Sequence, residues 1–313
     1  MDIFIEGQVH SPNNSIKHKI VDLKKVSLAI KREDLLHTEV SGNKFRKLKY
    51  NIRFARDLGF SKLLTFGGAF SNHIAATAAA GRLCGFKTIG VIRGEELEKD
   101  IESTLACNPT LRFAAQQGME LHFVDRHSYR LKDQPEFINQ LKSKLGAFYL
   151  IPEGGSNALA IKGCEEILSE EDKEYDFICC SAGTGATAAG LINSISDNQK
   201  VLVFSALKGD FLRAEITKYT TEQNWLLITD YSFGGYGKIN EELVEFMNSF
   251  KKEQHFLLDP VYTGKMIFGI FDLIKKDYFP VGSKILAIHT GGLQGVPGMN
   301  LRLEKKGLPL IDL

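Results

Sequence analysis

Short, almost uninterrupted apolar runs alternate with helical stretches along this chain, and no other feature restricts the fold as much. KLLTFGG (62–68), FKTIGVIRG (86–94), FYLIPEGG (148–155), YDFICCS (175–181), KVLVFSA (200–206) and SKILAIHTGG (283–292) read as strands. SNHIAATAAAGRLCG (71–85) reads as an Ala-rich helix that stops at a glycine. A strand that is apolar throughout needs cover on both faces, unlike one that alternates apolar and polar residues. Such strands separated by helices form parallel sheets, so the expectation is an α/β fold.

The chain has 313 residues, enough for one large α/β unit or two modest domains. Its net charge of +1 gives it no bulk attraction to nucleic acid or to a membrane surface. No apolar run is long enough to span a bilayer. The start, MDIFIEGQVHSPNN, lacks the basic and apolar regions of a secretory leader, so none is expected. Cys84, Cys107, Cys164, Cys179 and Cys180 form no C-x-x-C pair and read as reduced thiols of a cytoplasmic protein. The histidines show neither H-E-x-x-H nor H-x₃-H spacing, and no metal site is expected.

Glycine-rich turns follow the strands: GGAFSN (67–72), PEGGSN (152–157), SAGTGAT (181–187), GGYGK (234–238) and HTGGLQG (289–295). Any one of them alone is an ordinary strand-to-helix turn. Several at the carboxyl ends of parallel strands can surround one anionic ligand, because glycine lets backbone N–H groups face it and a helix start adds positive potential. Gly183-x-Gly185-x-x-Ala188 matches the dinucleotide fingerprint. That fingerprint needs an acidic residue at the end of the next strand to hold the ribose, and KVLVFSA ends in Ser205 and Ala206. An NAD-linked oxidoreductase is therefore a lesser alternative, while a phosphate on this turn is expected. GGYGK is not a P-loop, since Ile239 stands where Ser or Thr is required.

In SGNKFRKLKYNIRFARDLG (41–59), Phe45, Leu48, Ile52 and Ala55 recur at helical spacing. Lys44 and Lys47 share one face near the start of that helix, where cations are disfavoured. A lysine pair on a helix is ordinarily a solvated face; at this end it calls for an anion or a special role. A lysine that bonds an aldehyde must first lose its proton, from an ordinary pKa of about 10.4. A helix start, a second cation and burial all push that value down. A phosphorylated aldehyde cofactor would use one lysine as covalent anchor and the other as phosphate partner, and spacing alone does not say which.

KREDLLHTEVSGNKFRKLKYN (31–51), TFGGAFSNHIAATAAAGRLCGFK (65–87), PEGGSN, GTGATAAG (183–190), DPVYTGK (259–265) and HTGGLQG, taken in order, resemble the D-cysteine desulfhydrase / 1-aminocyclopropane-1-carboxylate (ACC) deaminase family. These are pyridoxal 5'-phosphate (PLP) enzymes of fold type II, the tryptophan-synthase-β type. The resemblance implies two parallel-sheet, three-layer domains: a smaller one over 48–155, and a larger one from 1–47 plus 156–313, with PLP between them. It further implies a small amino-acid substrate and a homodimer.

The resemblance also carries residue roles. Lys44 matches the Schiff-base lysine and Lys47 a phosphate ligand. Asn72 matches the residue near the ring hydroxyl. Ser71 matches one near the substrate carboxylate or in proton transfer. Thr184, Gly185, Ala186 and Thr187 match the phosphate loop, and Tyr236 and Tyr262 match tyrosines beside the substrate. Outside the resemblance, Ser71 is a plain helix cap and the two tyrosines are core aromatics. His73 and His289 read as structural.

In that family, ACC deaminases carry Glu after the tyrosine of DPVY and Leu in the H-x-G-G turn. This chain has Thr263 and Thr290. Thr290 resembles the hydroxyl partner of the ring nitrogen in the desulfhydrase branch. A neutral hydroxyl does not favour ring protonation as a carboxylate does. The weaker electron sink suits loss of a thiolate, so D-cysteine is the expected substrate and ACC the alternative. A catalytically silent PLP binder is a further alternative. Ser41 before GNK, Ile161-Lys162-Gly163-Cys164, and Leu-Gln-Gly-Val-Pro-Gly after HTGG depart from the family pattern.

Overall fold

The computed structural model describes Val9 and residues 11–313. Most of the N-terminal stretch inspected for a leader lies outside the described residues. The strands, in chain order, are β1 (Asn13–Ser15), β2 (Ser27–Lys31), β3 (Lys62–Gly68), β4 (Lys87–Arg93), β5 (Met119–Val124), β6 (Tyr149–Ile151), β7 (Phe177–Ala182), β8 (Lys200–Ser205), β9 (Trp225–Ile228) and β10 (Lys284–Ile288). They form a six-stranded sheet of order β1-β2-β10-β7-β8-β9 and a four-stranded sheet of order β5-β4-β3-β6. All pairings are parallel except β1 with β2, an antiparallel edge that the apolar pattern did not announce.

Six of the helices position the candidate site: α1 (Asn43–Asp57), α2 (Asn72–Cys84), α3 (Ala158–Cys164), α4 (Ala186–Ser194), α5 (Thr263–Lys275) and α6 (Val296–Glu304). Both sheets are covered on both faces, which explains their apolar strands. Ile178 and Cys180 of β7 pack with Ile161, Ala188 and Leu191 of α3 and α4. Cys179, between them, packs with Met266, Ile267 and Ile270 of α5 on the opposite face. In the smaller sheet Leu63 joins Phe45, Leu48 and Ile52 of α1, while Leu64 and Phe66 face Tyr129 and Leu141. Each fully buried aliphatic side chain contributes about 1.5–3 kcal/mol.

The strand orders create two crevices. From β7 the larger sheet continues through β8 and β9 to one side, and β10 lies on the other. From β3 the smaller sheet continues through β4 and β5, and β6 lies on the other side. Loops leaving the carboxyl ends of such neighbours diverge and leave room for a ligand. Glycines then let α1, α3 and α4 approach closely: a Cβ on Gly163 would sit 1.9 Å from the carbonyl oxygen of Arg46, and one on Gly190 2.5 Å from Cys164 Cβ. Helix α1 is thereby held at the crevice by its own backbone.

Candidate active site

The turns after β7 and β10 and the starts of α1 and α2 enclose a cleft of about 590 Å³, counting space open to solvent. Lys44, Lys47, Asn72, Thr184, Gly185, Thr187, Tyr262 and Thr290 all line it. Ala186 is fully buried in the first turn of α4 and offers backbone only. Ser71 does not line the cleft; its Oγ accepts from Ile74 N at 3.4 Å, as a weak cap of α2. Tyr236 lines an adjoining cavity and stands edge-to-face with Tyr262, ring centroids 6.2 Å apart.

Lys44 follows Gly42 and Asn43 at the start of α1, where no side chain caps the helix. Gly42 has φ +64°, and Asn43 N donates to Thr290 O at 3.2 Å. Desolvation in the cleft, followed by the charge of Lys47, brings the Lys44 pKa down to about 7. Lys47 is buried, which lowers its own pKa, and its Nζ donates to Gly154 O at 3.0 Å. The turn after β6 thus fixes one lysine while the other remains free of such a bond among the described residues.

The turn Gly183-Thr184-Gly185 leads from β7 into α4, with Gly185 at φ +85° and no side-chain cap on the helix. The first N–H groups of an uncapped helix seek an anion. Around them, Thr187 Oγ1 accepts from Asn43 Nδ2 at 2.8 Å and Thr184 Oγ1 accepts from Ser156 Oγ at 2.6 Å. Ser181 Oγ lines the same cleft, buried and with no hydrogen-bond partner among the described residues. Such an orphaned hydroxyl costs about 1–3 kcal/mol unless a ligand satisfies it.

On the other side, the turn after β10 is held by His289. Its Nε2 bonds the carbonyl of Leu257 at 2.8 Å and its Nδ1 accepts from Gly291 N at 3.2 Å. These partners suit a proton on Nε2 and an acceptor at Nδ1. The ring is fully buried and structural, as expected. His73 is also buried, with Nε2 2.9 Å from Thr65 Oγ1. Burial, then Lys44 and Lys47, lower its pKa well below the ordinary value, so it adds no third cation.

Two groups missed in the sequence hold the tyrosines. The Asp259 carboxylate accepts from the backbone N–H groups of Val261, Tyr262 and Thr263 at 2.9, 2.9 and 2.7 Å. Lys265, buried in the first turns of α5, donates to the carbonyls of Ser232 and Gly235 at 2.8 and 2.9 Å and so pins the loop that carries Tyr236. Both lie within the DPVYTGK motif, but only their tertiary partners disclose the work they do. That loop starts beyond Ile228, so GGYGK does not follow a strand directly as the other glycine turns do. Burial and the adjacent Tyr236 keep the Tyr262 hydroxyl protonated, its pKa well above the ordinary value.

The cleft meets the needs of PLP on its own geometry. It offers an amine near neutrality for an aldehyde, and an uncapped helix start with Lys47 close by for a phosphate. The unpartnered Ser181 hydroxyl adds a donor. All five cysteines are free, three of them buried, and no group of residues among those described could hold a metal ion. No helix among the described residues is long and apolar enough to cross a membrane.

Comparison with known proteins agrees. Residues 16–291 match the family described as "Pyridoxal-phosphate dependent enzyme". The chain is 32% identical to the mitochondrial bifunctional D-cysteine desulfhydrase/ACC deaminase of Arabidopsis thaliana, over 86% of this chain and 73% of that one. It is 31% identical to an ACC deaminase of Rhizobium rhizogenes, over 88% and 89% of the two chains. The crystal structure of an ACC deaminase homologue superposes with a TM-score of 0.79 at 29% identity, covering 97% of this chain and 98% of the other. With the fold, the cleft and these relatives in agreement, the chain belongs to the pyridoxal-phosphate dependent enzymes, in the family of the ACC deaminases and D-cysteine desulfhydrases.

Proposed function

We propose that this enzyme catalyses β-elimination from D-cysteine, which with one water gives pyruvate, ammonia and hydrogen sulfide. One observation carries the choice: among the described residues no Asp or Glu lines the cleft, and Thr290 presents a neutral hydroxyl there. PLP, when bound, supplies the electron sink for the pair left at Cα. Lys44 is the covalent anchor and, with a pKa of about 7, the base best suited to take the α-proton. The cap made by Ser71 Oγ supports Lys44 over Ser71 in that role. Tyr262, kept protonated, donates to the leaving sulfur, with Tyr236 beside it. Lys47 and the start of α4 bind the phosphate, and Asn72 orients the ring from the open face.

ACC deamination is the second reading, favoured by the names of the relatives. The NAD alternative loses ground: β8 ends in Ser205, whose Oγ is engaged with Leu207 O at 2.8 Å, and no acid stands there for a ribose. We also propose that residues 48–155 form the smaller domain, a division supported by the four-stranded sheet whose strands run from Lys62 to Ile151. A cytoplasmic homodimer is supported by the free thiols and by the family resemblance respectively. Sulfide and pyruvate are to be assayed with D-cysteine, and 2-oxobutanoate with ACC. Sulfide with equimolar pyruvate is the expected result. Turnover of ACC alone would transfer the reading to the deaminase branch, and turnover of neither would leave a silent PLP binder.

A further inference from the structure

A second cavity, of about 480 Å³ with its open mouth included, adjoins the cleft and shares Asn72, Tyr262 and Gly292 with it. D-Cysteine and ACC end within a few atoms of Cα, so neither extends far beyond those shared residues. The walls of the second cavity are apolar, with Phe70, Val261 and Met299 prominent. Its width depends on one glycine: a Cβ on Gly298 would sit 2.8 Å from Phe70 Cδ1. Gly298 closes the Leu-Gln-Gly-Val-Pro-Gly segment that follows the turn after β10. Phe70 and Tyr236 remain 42% and 52% exposed on its walls, large ring surfaces that gain free energy when covered.

The exposed Arg302 is among the lining residues. It lies in the last turn of α6, with Nη1 3.3 Å from the position a Cβ on Gly237 would take. Among the described residues no carboxylate lines this cavity. Arg302 makes no ion pair or hydrogen bond among the described residues. The helix C-terminus accounts for a cation in that turn. It does not account for the cation lining an aromatic-walled cavity that shares three residues with the cleft.

We propose that the second cavity is a side-chain subsite that selects amino acids with an apolar stem of several carbons ending in an anion, recognised by Arg302. The inference rests on the proposed amino-acid site in the cleft, but not on β-elimination. For an S-substituted D-cysteine of this class the reaction balances as RS–CH₂–CH(NH₃⁺)–COO⁻ plus water giving RSH, pyruvate and ammonium, with the leaving thiol seated in the subsite.

The test is calorimetric binding to the holoenzyme of D-2-aminoadipate and of D-norleucine. They have the same stem length and differ in whether it ends in a carboxylate or a methyl group, and neither carries a β leaving group. The expected result is roughly fivefold tighter binding of D-2-aminoadipate, the scale of one solvent-accessible ion pair. Arg302→Gln should remove that preference and Arg302→Lys keep most of it. Equal affinities in the wild type, or a preference that survives Arg302→Gln, would overturn the proposal. Because binding is read without turnover, a wild type that fails to release sulfide from D-cysteine sinks the proposed reaction and not this subsite.

Discussion

A Cβ on Gly42 would sit 2.0 Å from the carbonyl oxygen of Thr290, so the segment that starts α1 and the turn that ends β10 can meet only through glycine. The contact is mutual: a Cβ on Gly291 would sit 2.8 Å from Ser41 Oγ. Lys44 and Thr290, which both line the cleft, are thus held in register by backbone atoms, which do not change rotamer.

Gly42→Ala should therefore cost about 1–3 kcal/mol of stability, from the positive φ and the overlap together. It should also loosen PLP. Thermal unfolding would show the first effect and an absorbance titration with PLP the second. An alanine variant that binds PLP as tightly as wild type would mean that this contact does not set the cleft.

Lys44 makes a prediction about the cofactor-free protein. An amine whose folded pKa of about 7 lies below its unfolded value of 10.5 sheds its proton on folding above pH 7. Its burden is full below pH 7, where both states are protonated, and shrinks as pH rises toward 10.5. Lys44→Met should raise the melting temperature of cofactor-free protein clearly at pH 6 and little at pH 10. A Lys44→Met variant no more stable than wild type at pH 6 would show that the Lys44 ammonium is not desolvated.

Much of the fold was legible in the chain. The apolar runs 62–68, 200–206 and 283–292 are strands because each is buried on both faces. The paired lysines at a helix start were legible because that position is wrong for a solvated cation. β5 was missed because MELHFV carries Glu120 and His122 on a strand at the sheet edge, where one side of the ladder is open. β2 was missed because it ends in Lys31, buried against Asp172 at 2.7 Å, a partner that no local pattern discloses. The same holds within the site. Asp259 and Lys265 sit in a recognised motif, yet their work is done on Val261 to Thr263 and on a distant loop.

Lys265 donates to two carbonyls of the Tyr236 loop and faces no acid closer than Asp259, whose carboxylate caps the start of α5. Burial lowers its pKa to about 8. Below pH 8 the ammonium holds the loop with two charge-assisted bonds; above it that charge is lost and the grip weakens. D-Cysteine turnover should then fall on the alkaline side of pH 8. Lys265→Met should lower kcat/KM roughly tenfold at pH 7, since small displacements of a reacting group are costly. It should also remove the alkaline limb. A variant that keeps that limb would assign it to another group.

Thr290 tests the choice of reaction. Its side chain is largely buried and lines the cleft, whereas Thr263 is fully buried and does not. Thr263 Oγ1 has no hydrogen-bond partner among the described residues. The two positions that separate the branches by resemblance therefore act differently here. Thr290→Val keeps the shape and removes only the hydroxyl, so it should reduce D-cysteine turnover by about tenfold, the scale of one lost hydrogen bond of about 1.4 kcal/mol at the transition state. Thr290→Leu with Thr263→Glu should shift the ratio of ACC to D-cysteine turnover upward. It should do so in a less stable protein, because a carboxylate at position 263 enters a fully buried site. Product ratios measured on folded fractions decide it: if ACC turnover does not rise and D-cysteine turnover does not fall, these threonines do not set the reaction.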